Sequence, residues 1–258
     1  MGIKNNNFKT IKIGTWITLG HFSIVEILAK SGFDWLCIDL EHSVIDLFEA
    51  EKLIATIESN GCIPYVRVSS NDKNMIKRVL DAGAKGLIVP MINSRADAIK
   101  VVENSKYPPT GKRGVGLARA QGYGFNFKKY KNFIDNELKI IVQIEHHKAI
   151  DNLSDILGVE GIDGTIIGPY DLSGSIGMPG DYNSKEVKAL LDSYEKICSK
   201  FDKDYGFHVI EPDHRLILKK IKKGYTFLGF SLDTLFLGTL AKNEMAKIIK
   251  EIRWILLQ

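Results

Sequence analysis

At 258 residues the chain has the length of one α/β barrel, which commonly runs to about 250 residues as a single domain. Its 45% hydrophobic and 26% charged residues are ordinary globular values, and no stretch is biased enough in composition to read as disordered. Thirty-five Lys and Arg against 31 Asp and Glu leave a formal net charge of +4, too slight and dispersed for nucleic-acid binding but compatible with anionic small molecules.

The first 16 residues lack the apolar core of a signal peptide, and no run of 18 apolar residues occurs, so a soluble cytoplasmic protein without a membrane partner is expected. Cys37, Cys62 and Cys198 are widely spaced and form no CxxC pair. Reduced core thiols are expected in place of a zinc or redox site.

In chain order, an apolar, β-branched run at 11–17 precedes a stretch of helical period at 23–31. The unit then repeats as 35–40 with 47–59, 63–68 with 73–81, and 86–91 with 94–104. Four more repeats follow, 139–145 with 149–157, 164–168 with 185–200, 205–209 with 213–223, and 227–232 with 234–252. Eight such βα units predict a (β/α)8 TIM barrel. Gly32, Gly61, Gly83 and Gly224 stand where helices should end in left-handed caps. The segment 107–136, with two prolines and five glycines by position 124, reads as one long irregular connection, and loops of that length are usually functional or disordered. Within it, GVGLAR at 114–119 superficially resembles a phosphate loop, but no strand immediately precedes it, so nucleotide binding is not supported. Lys219, Lys220, Lys222 and Lys223 read as a solvated helix face.

Catalytic residues of such a barrel come from the C-terminal ends of its strands. Here those ends carry Asp39-Leu40-Glu41-His42, Arg67, Gln143-Ile144-Glu145 and Gly168-Pro169-Tyr170-Asp171. Glu145 and Asp171, from neighbouring strands, could share one hard cation, Mg2+ or Mn2+, that keeps positions for water and substrate. Equally, they could be rim carboxylates paired with Arg67 and Arg119. His146 and His147 raise a transition-metal alternative, although adjacent residues at a strand end point in different directions. His42 suits a general base, its ring oriented by Asp39 or Glu41, against the alternative of a structural histidine. Arg67 offers a fork for a carboxylate or an enolate oxygen, or else an ion pair to Asp39. No strand end presents a lysine, which disfavours imine chemistry and favours metal-assisted enolate formation.

These residues sit in segments that resemble the HpcH/HpaI aldolases: GFDWLCIDLEH at 32–42, PYVRV at 64–68, LDAGAKGLIVPMI at 80–92, YPPTGKRG at 107–114, QIE at 143–145 and IGPYDLSGSIG at 167–177. The resemblance covers nearly the whole chain. It implies a class II pyruvate aldolase that reversibly cleaves a 4-hydroxy-2-oxo acid to pyruvate and an aldehyde through a metal-bound pyruvate enolate. It further implies Glu145 and Asp171 as ligands of a divalent cation (Mg2+, Mn2+ or Co2+), His42 as base with Asp39 as its dyad partner, and Arg67 as the holder of the pyruvyl oxygens. Asp81 is similar to a residue that reaches the neighbouring subunit's active site. Gln143, Gly168, Pro169, Tyr170 and Trp16 match substrate-pocket positions. The family assembles as hexamers with exchanged C-terminal helices, which fits the 234–257 segment, as would an ordinary last barrel helix. His146, His147 and Tyr170 depart from the family pattern beside the site. A citramalyl-CoA-type lyase would need an adenine-binding basic patch that does not stand out in the sequence, and joint presence of His42, Arg67, Glu145 and Asp171 argues against a non-catalytic oxo-acid-binding barrel.

Overall fold

The computed structural model describes residues 3–4 and 10–257. Eight parallel strands form the barrel: β1 (Thr10–Ile17), β2 (Trp35–Asp39), β3 (Ile63–Arg67), β4 (Gly86–Val89), β5 (Lys139–Ile144), β6 (Gly164–Ile167), β7 (Asp204–Val209) and β8 (Phe227–Leu232). Each pairs with the next, and β1 pairs with β8 to close the sheet, with Lys12 opposite Phe227. A two-residue strand, Ile3–Lys4, adds antiparallel to the start of β1.

The helices are α1 (Phe22–Ala29), α2 (Leu47–Ser59), α3 (Lys73–Ala82), α4 (Arg95–Ser105), α5 (Phe127–Asn136), α6 (His147–Asp151), α7 (Leu153–Leu157), α8 (Pro169–Gly174), α9 (Lys185–Cys198), α10 (His214–Lys222) and α11 (Asp233–Ile255). Local chemistry sets several of these boundaries. Asp46 and Glu49 form a reciprocal capping box at the start of α2, which contributes on the order of 1 kcal/mol. Gly83 ends α3 at φ +110°, and its N–H reaches the carbonyls of Val79 and Leu80. Gly32, Gly61 and Gly224 also have positive φ, but they follow the capping residues Lys30, Asn60 and Lys223 and are not caps themselves.

Alternation along the strands separates two cores. Trp35, Cys37, Tyr65, Ile88, Ile141, Ile166 and Phe227 point into the barrel, while Leu36, Ile38, Val66, Leu87, Ile140 and Val142 face the helices. The barrel floor is aromatic: Trp35 stacks on Phe227 with ring centroids 4.6 Å apart. Gly14 and Gly86 make room for it, since a Cβ there would stand 1.9 Å from Trp35 and 2.1 Å from Tyr65. All three cysteines are buried and unpaired.

Two expectations are corrected. The 107–136 connection is not wholly irregular, because its last third is α5, preceded by a 3-10 turn at Arg119–Gln121. Phe127, Tyr130, Phe133 and Ile134 form the packed stripe of α5, a pattern masked by four surrounding lysine and asparagine positions and by the lack of a side-chain N-cap bond. The strand before Asp171 ends at Ile167, and Pro169 starts α8 at a first-turn position that proline favours.

Buried Asp233 ties the barrel seam to the last helix. Its carboxylate accepts from the Thr18 and Leu19 backbones at 2.8 and 2.7 Å and from the Thr18 hydroxyl at 2.6 Å. Beyond this anchor α11 leaves the barrel surface, and every residue from Leu240 to Leu257 is exposed. No helix among the described residues is long and apolar enough to cross a membrane.

Candidate active site

Parallel strands deliver their C-terminal ends to one mouth, and β2 and β3 pair so that Asp39 lies directly opposite Arg67. The side chains make a two-point pair: Nε and Nη2 of Arg67 donate to the two Asp39 oxygens at 2.9 and 2.6 Å. Nη1 lies 3.3 Å from Glu41 Oε2, and the guanidinium carbon sits 4.5 Å from the centroid of the Trp16 ring. Burial alone would raise the Asp39 carboxyl, but the Arg67 fork and the backbone N–H groups of Glu41 and His42 hold it below its ordinary value. Two of the five guanidinium N–H groups are thereby hydrogen-bonded to Asp39, while Glu41 faces Nη1 as an ion pair only, which leaves one hydrogen on Nη2 and two on Nη1 for a ligand.

This pairing changes the expected dyad. Asp39 accepts the backbone N–H groups of Glu41 and His42 at 3.0 and 3.2 Å, and its other bonds go to Arg67 and not to the His42 ring. The His42 ring is exposed at the mouth, with Nε2 3.8 Å from Glu41 Oε2, so Glu41 is its neighbouring carboxylate.

Glu145 follows β5 and is buried. Oε1 accepts the Met91 backbone N–H at 2.7 Å, and Oε2 accepts from Gln143 Nε2 at 2.6 Å. Met91 adopts φ +55°, an unusual left-handed geometry for a side-chain-bearing residue, which places that N–H over the carboxylate. Gly168 permits the close approach from β6, because a Cβ there would lie 3.2 Å from both Gln143 Nε2 and Glu145 Cβ. Burial pushes the Glu145 carboxyl up to about 7; Glu41 and Asp171 push the same way, while the Met91 N–H and Arg67 oppose. Glu41 is raised too, chiefly by burial, against the pull of Arg67.

Asp171 lies in the first turn of α8 and joins Arg67, Gln143, Gly168, Pro169 and Tyr170 around a cavity of about 70 Å³. No lysine lines it. Lys12, Lys85 and Lys139 pair instead with Asp204, Glu58 and Asp163 toward the strand starts. Arg119 pairs with Glu58 on the flank, so it does not neutralise Glu145 or Asp171. Asp39, Glu41, Glu145 and Asp171 therefore share one nearby arginine. That excess of carboxylates fits a divalent cation, as does Gln143 Oε1, a buried acceptor with no hydrogen-bond partner among the described residues. No cluster of three or more His, Cys, Asp or Glu with metal-ligand geometry occurs among the described residues, and Glu145 and Asp171 are the two carboxylates that could hold a cation whose remaining positions go to water and substrate.

The other expected residues separate clearly. His147 turns its Nδ1 toward the Ser175 carbonyl at 3.2 Å, and His146 caps α6 through its own ring. Asp81, in the last turn of α3, pairs with buried Arg113 at 2.5 Å and does not line the cavity. A barrel helix runs antiparallel to the strands, so the end of α3 lies away from its own subunit's mouth.

The sequence profile of the HpcH/HpaI aldolase/citrate lyase family matches residues 12–237. The chain belongs to this family. Similarity extends to the 2-keto-3-deoxy-L-rhamnonate aldolase of Escherichia coli strain K12 / DH10B, 35% identical over 241 residues, covering 92% of this chain and 88% of that protein. Among solved structures, an HpcH/HpaI aldolase/citrate lyase family protein from Burkholderia cenocepacia J2315 superposes with a TM-score of 0.87 at 28% identity, covering 92% of this chain and 94% of that one. An HpcH/HpaI aldolase from Desulfitobacterium hafniense DCB-2 gives 0.85 at 28% identity, with 92% of each chain covered. The protein is thus an HpcH/HpaI-type aldolase, a carbon–carbon lyase.

Sequence reasoning missed two groups in this HpcH/HpaI site. His208, on β7, lines the same cavity, and the strand-end rule applied to FHVIE at 207–211 would have found it. The Met91 N–H had no side-chain signal. Lys220 also departs from the expected solvated face: its Nζ lies 3.3 Å from the Phe207 ring centroid, and burial lowers its pKa to about 8.

Proposed function

We propose that this chain is a divalent-metal-dependent pyruvate aldolase that reversibly cleaves a 4-hydroxy-2-oxo acid to pyruvate and an aldehyde. The supporting observation is that Asp171 and the Arg67 fork line one small cavity together with Gln143, whose amide holds Glu145 directly behind it, so that Glu41, Glu145 and Asp171 interact around a single arginine. Glu145 and Asp171 would hold the cation, Mg2+ or Mn2+, and a cation there supplies Lewis-acid polarisation of the 2-oxo acid.

The remaining tasks fall to the chain's own groups. The free N–H groups on the Arg67 terminal nitrogens would donate to the pyruvyl oxygens, where negative charge develops as the C3–C4 bond electrons move toward the 2-oxo group. His42, exposed at the mouth beside Glu41, takes the proton from the C4 hydroxyl and returns one in the reverse direction. Asp39 positions both, through its fork to Arg67 and its bond to the His42 backbone. Gln143 orients Glu145, and Gly168 to Tyr170 form the wall beside the substrate.

Asp81 is assigned to the mouth of a second copy, since the end of α3 lies away from its own. Exposed α11, with Leu240, Ile248, Ile249, Ile252 and Trp254, is assigned to contact between copies in a homo-oligomer, a hexamer by family resemblance, which sedimentation velocity would test.

The direct test supplies pyruvate, Mn2+ and a panel of aldehydes, and follows both condensation and exchange of pyruvate methyl protons into D2O. Both should depend on the cation and disappear in Glu145→Gln, which should also lose Mn2+ binding measured by electron paramagnetic resonance. Activity that survives exhaustive chelation, or undiminished Mn2+ binding in Glu145→Gln, would refute the assignment.

A further inference from the structure

His208 sits on the inward face of β7, while Phe207 and Val209 pack between the sheet and the helices. Its ring lies 5.2 Å from that of Trp16 and lines the active-site cavity with Arg67, Gln143, Gly168 and Asp171. Nε2 is 3.3 Å from the Ser231 carbonyl oxygen. A carbonyl only accepts, so Nε2 carries the proton and Nδ1 bears the lone pair. A Cβ on Gly229 would stand 3.3 Å from Cδ2, which shows that the Cδ2–Nε2 edge faces β8. Nδ1, on the opposite edge, is turned toward the β6 side, where Gly168, Pro169 and Asp171 form the wall. No hydrogen bond to Nδ1 is made among the described residues.

We propose that His208 selects the aldehyde half of the substrate, its Nδ1 accepting a hydrogen bond from a hydroxyl on the carbon next to the aldehyde. The inference rests on the pyruvate aldolase reading above and adds to it a residue that sets specificity. The pyruvate half offers this nitrogen nothing, since its carboxylate and keto oxygens are acceptors and find their donors in Arg67. The C4 oxygen is a poor match as well, because it loses and regains a proton during the reaction and needs a partner that exchanges one. Burial lowers the His208 pKa to about 4, with Arg67 adding to the effect and the Ser231 carbonyl and Asp39 opposing it. At neutral pH the ring is therefore a fixed acceptor, suited to a hydroxyl that stays a donor throughout.

The test compares kcat/KM for condensation of pyruvate with glycolaldehyde and with acetaldehyde, which differ by that one hydroxyl, in the full-length protein with saturating Mn2+. His208→Leu keeps the bulk against Trp16 and removes the acceptor, whereas the Oδ1 of His208→Asn can occupy the position of Nδ1. The glycolaldehyde-to-acetaldehyde ratio should fall about ten-fold to a hundred-fold in the leucine variant and recover to within about three-fold of wild type in the asparagine variant. A ratio within about two-fold of wild type in His208→Leu would overturn the proposal, even if both rates fall together as a purely structural role would make them. An asparagine variant as unselective as the leucine variant would overturn it too. Wild-type protein that condenses pyruvate with neither aldehyde and exchanges no methyl protons would instead defeat the aldolase reading itself.

Discussion

Truncating Asp39, Arg67 or both gives a stability cycle whose outcome the geometry ranks in advance. The pair is joined by two parallel bonds of 2.9 and 2.6 Å, with side chains only 3% and 12% exposed, so neither charge can recover its hydration when the other is removed. Breaking such a buried pair from one side costs about 3–5 kcal/mol. In Asp39→Ala, Arg67 keeps Glu41 at 3.3 Å and the face of Trp16, which places the loss near the lower end, about 3 kcal/mol. In Arg67→Met, Asp39 and Glu41 lose their shared cation while Asp171 and Glu145 remain close, which places the loss near about 5 kcal/mol. Once Arg67 is gone, deleting Asp39 removes an uncompensated carboxylate and should cost nothing more. The double variant should therefore match Arg67→Met, a coupling of about 3 kcal/mol. Equilibrium urea denaturation of the metal-free proteins, followed by tryptophan fluorescence, measures all four corners. Additive losses, with the double variant near about 8 kcal/mol, would refute the claim that these two side chains act as one unit.

Lys220→Met should raise Tm at pH 7. A folded pKa of about 8, below the unfolded value near 10.4, means that the cost of burying the charge is full below pH 8 and fades as pH rises through that window, so the gain should shrink by pH 10 in thermal melts. Gly14→Ala forces a Cβ to within 1.9 Å of Trp35, itself stacked on Phe227, and should lower stability by about 3 kcal/mol and Tm by about 6–12 °C. Gly114→Ala, with nothing within 4 Å of the new methyl, should leave Tm unchanged within about 2 °C, and equal effects at the two glycines would undo the packing argument.

What could be read from the sequence was whatever depends on position along the chain. Parallel strands fed by βα connections must all point the same way, so once the eight runs are located, Asp39, Arg67, Gln143 and Glu145 are committed to one mouth without any knowledge of contacts. The left-handed turns expected at glycines after helices are equally local, and all four glycines have positive φ, Gly83 as the helix cap itself. What escaped depends on relations between strands. The pairing of Asp39 with Arg67 follows from the β2–β3 register, and a shift of one residue would have turned one of the two side chains out of the barrel. The same register stacks Trp35, Tyr65 and Phe227 against one another in the floor, at the other end of the strands from the acidic residues whose motif draws attention.

The same distinction explains the histidines. His146 and His147 stand out in sequence because they adjoin Glu145, yet the chain turns into α6 at that point, and the His146 ring caps that helix while the His147 ring turns to Ser175 beyond α8. His208 has no conspicuous neighbours in sequence, and only the inward phase of β7 together with the carbonyl of Ser231, held at φ +52° on the next strand, fixes its tautomer and aims its free nitrogen at the cavity. The groups that carry negative charge in this site were visible from strand ends alone, whereas the group assigned here to substrate selection is defined by a bond between strands. Differences in aldehyde preference between chains that share the Asp39, Arg67, Glu145 and Asp171 set are therefore expected to arise from such cross-strand positions, which can change without disturbing the strand-end motifs.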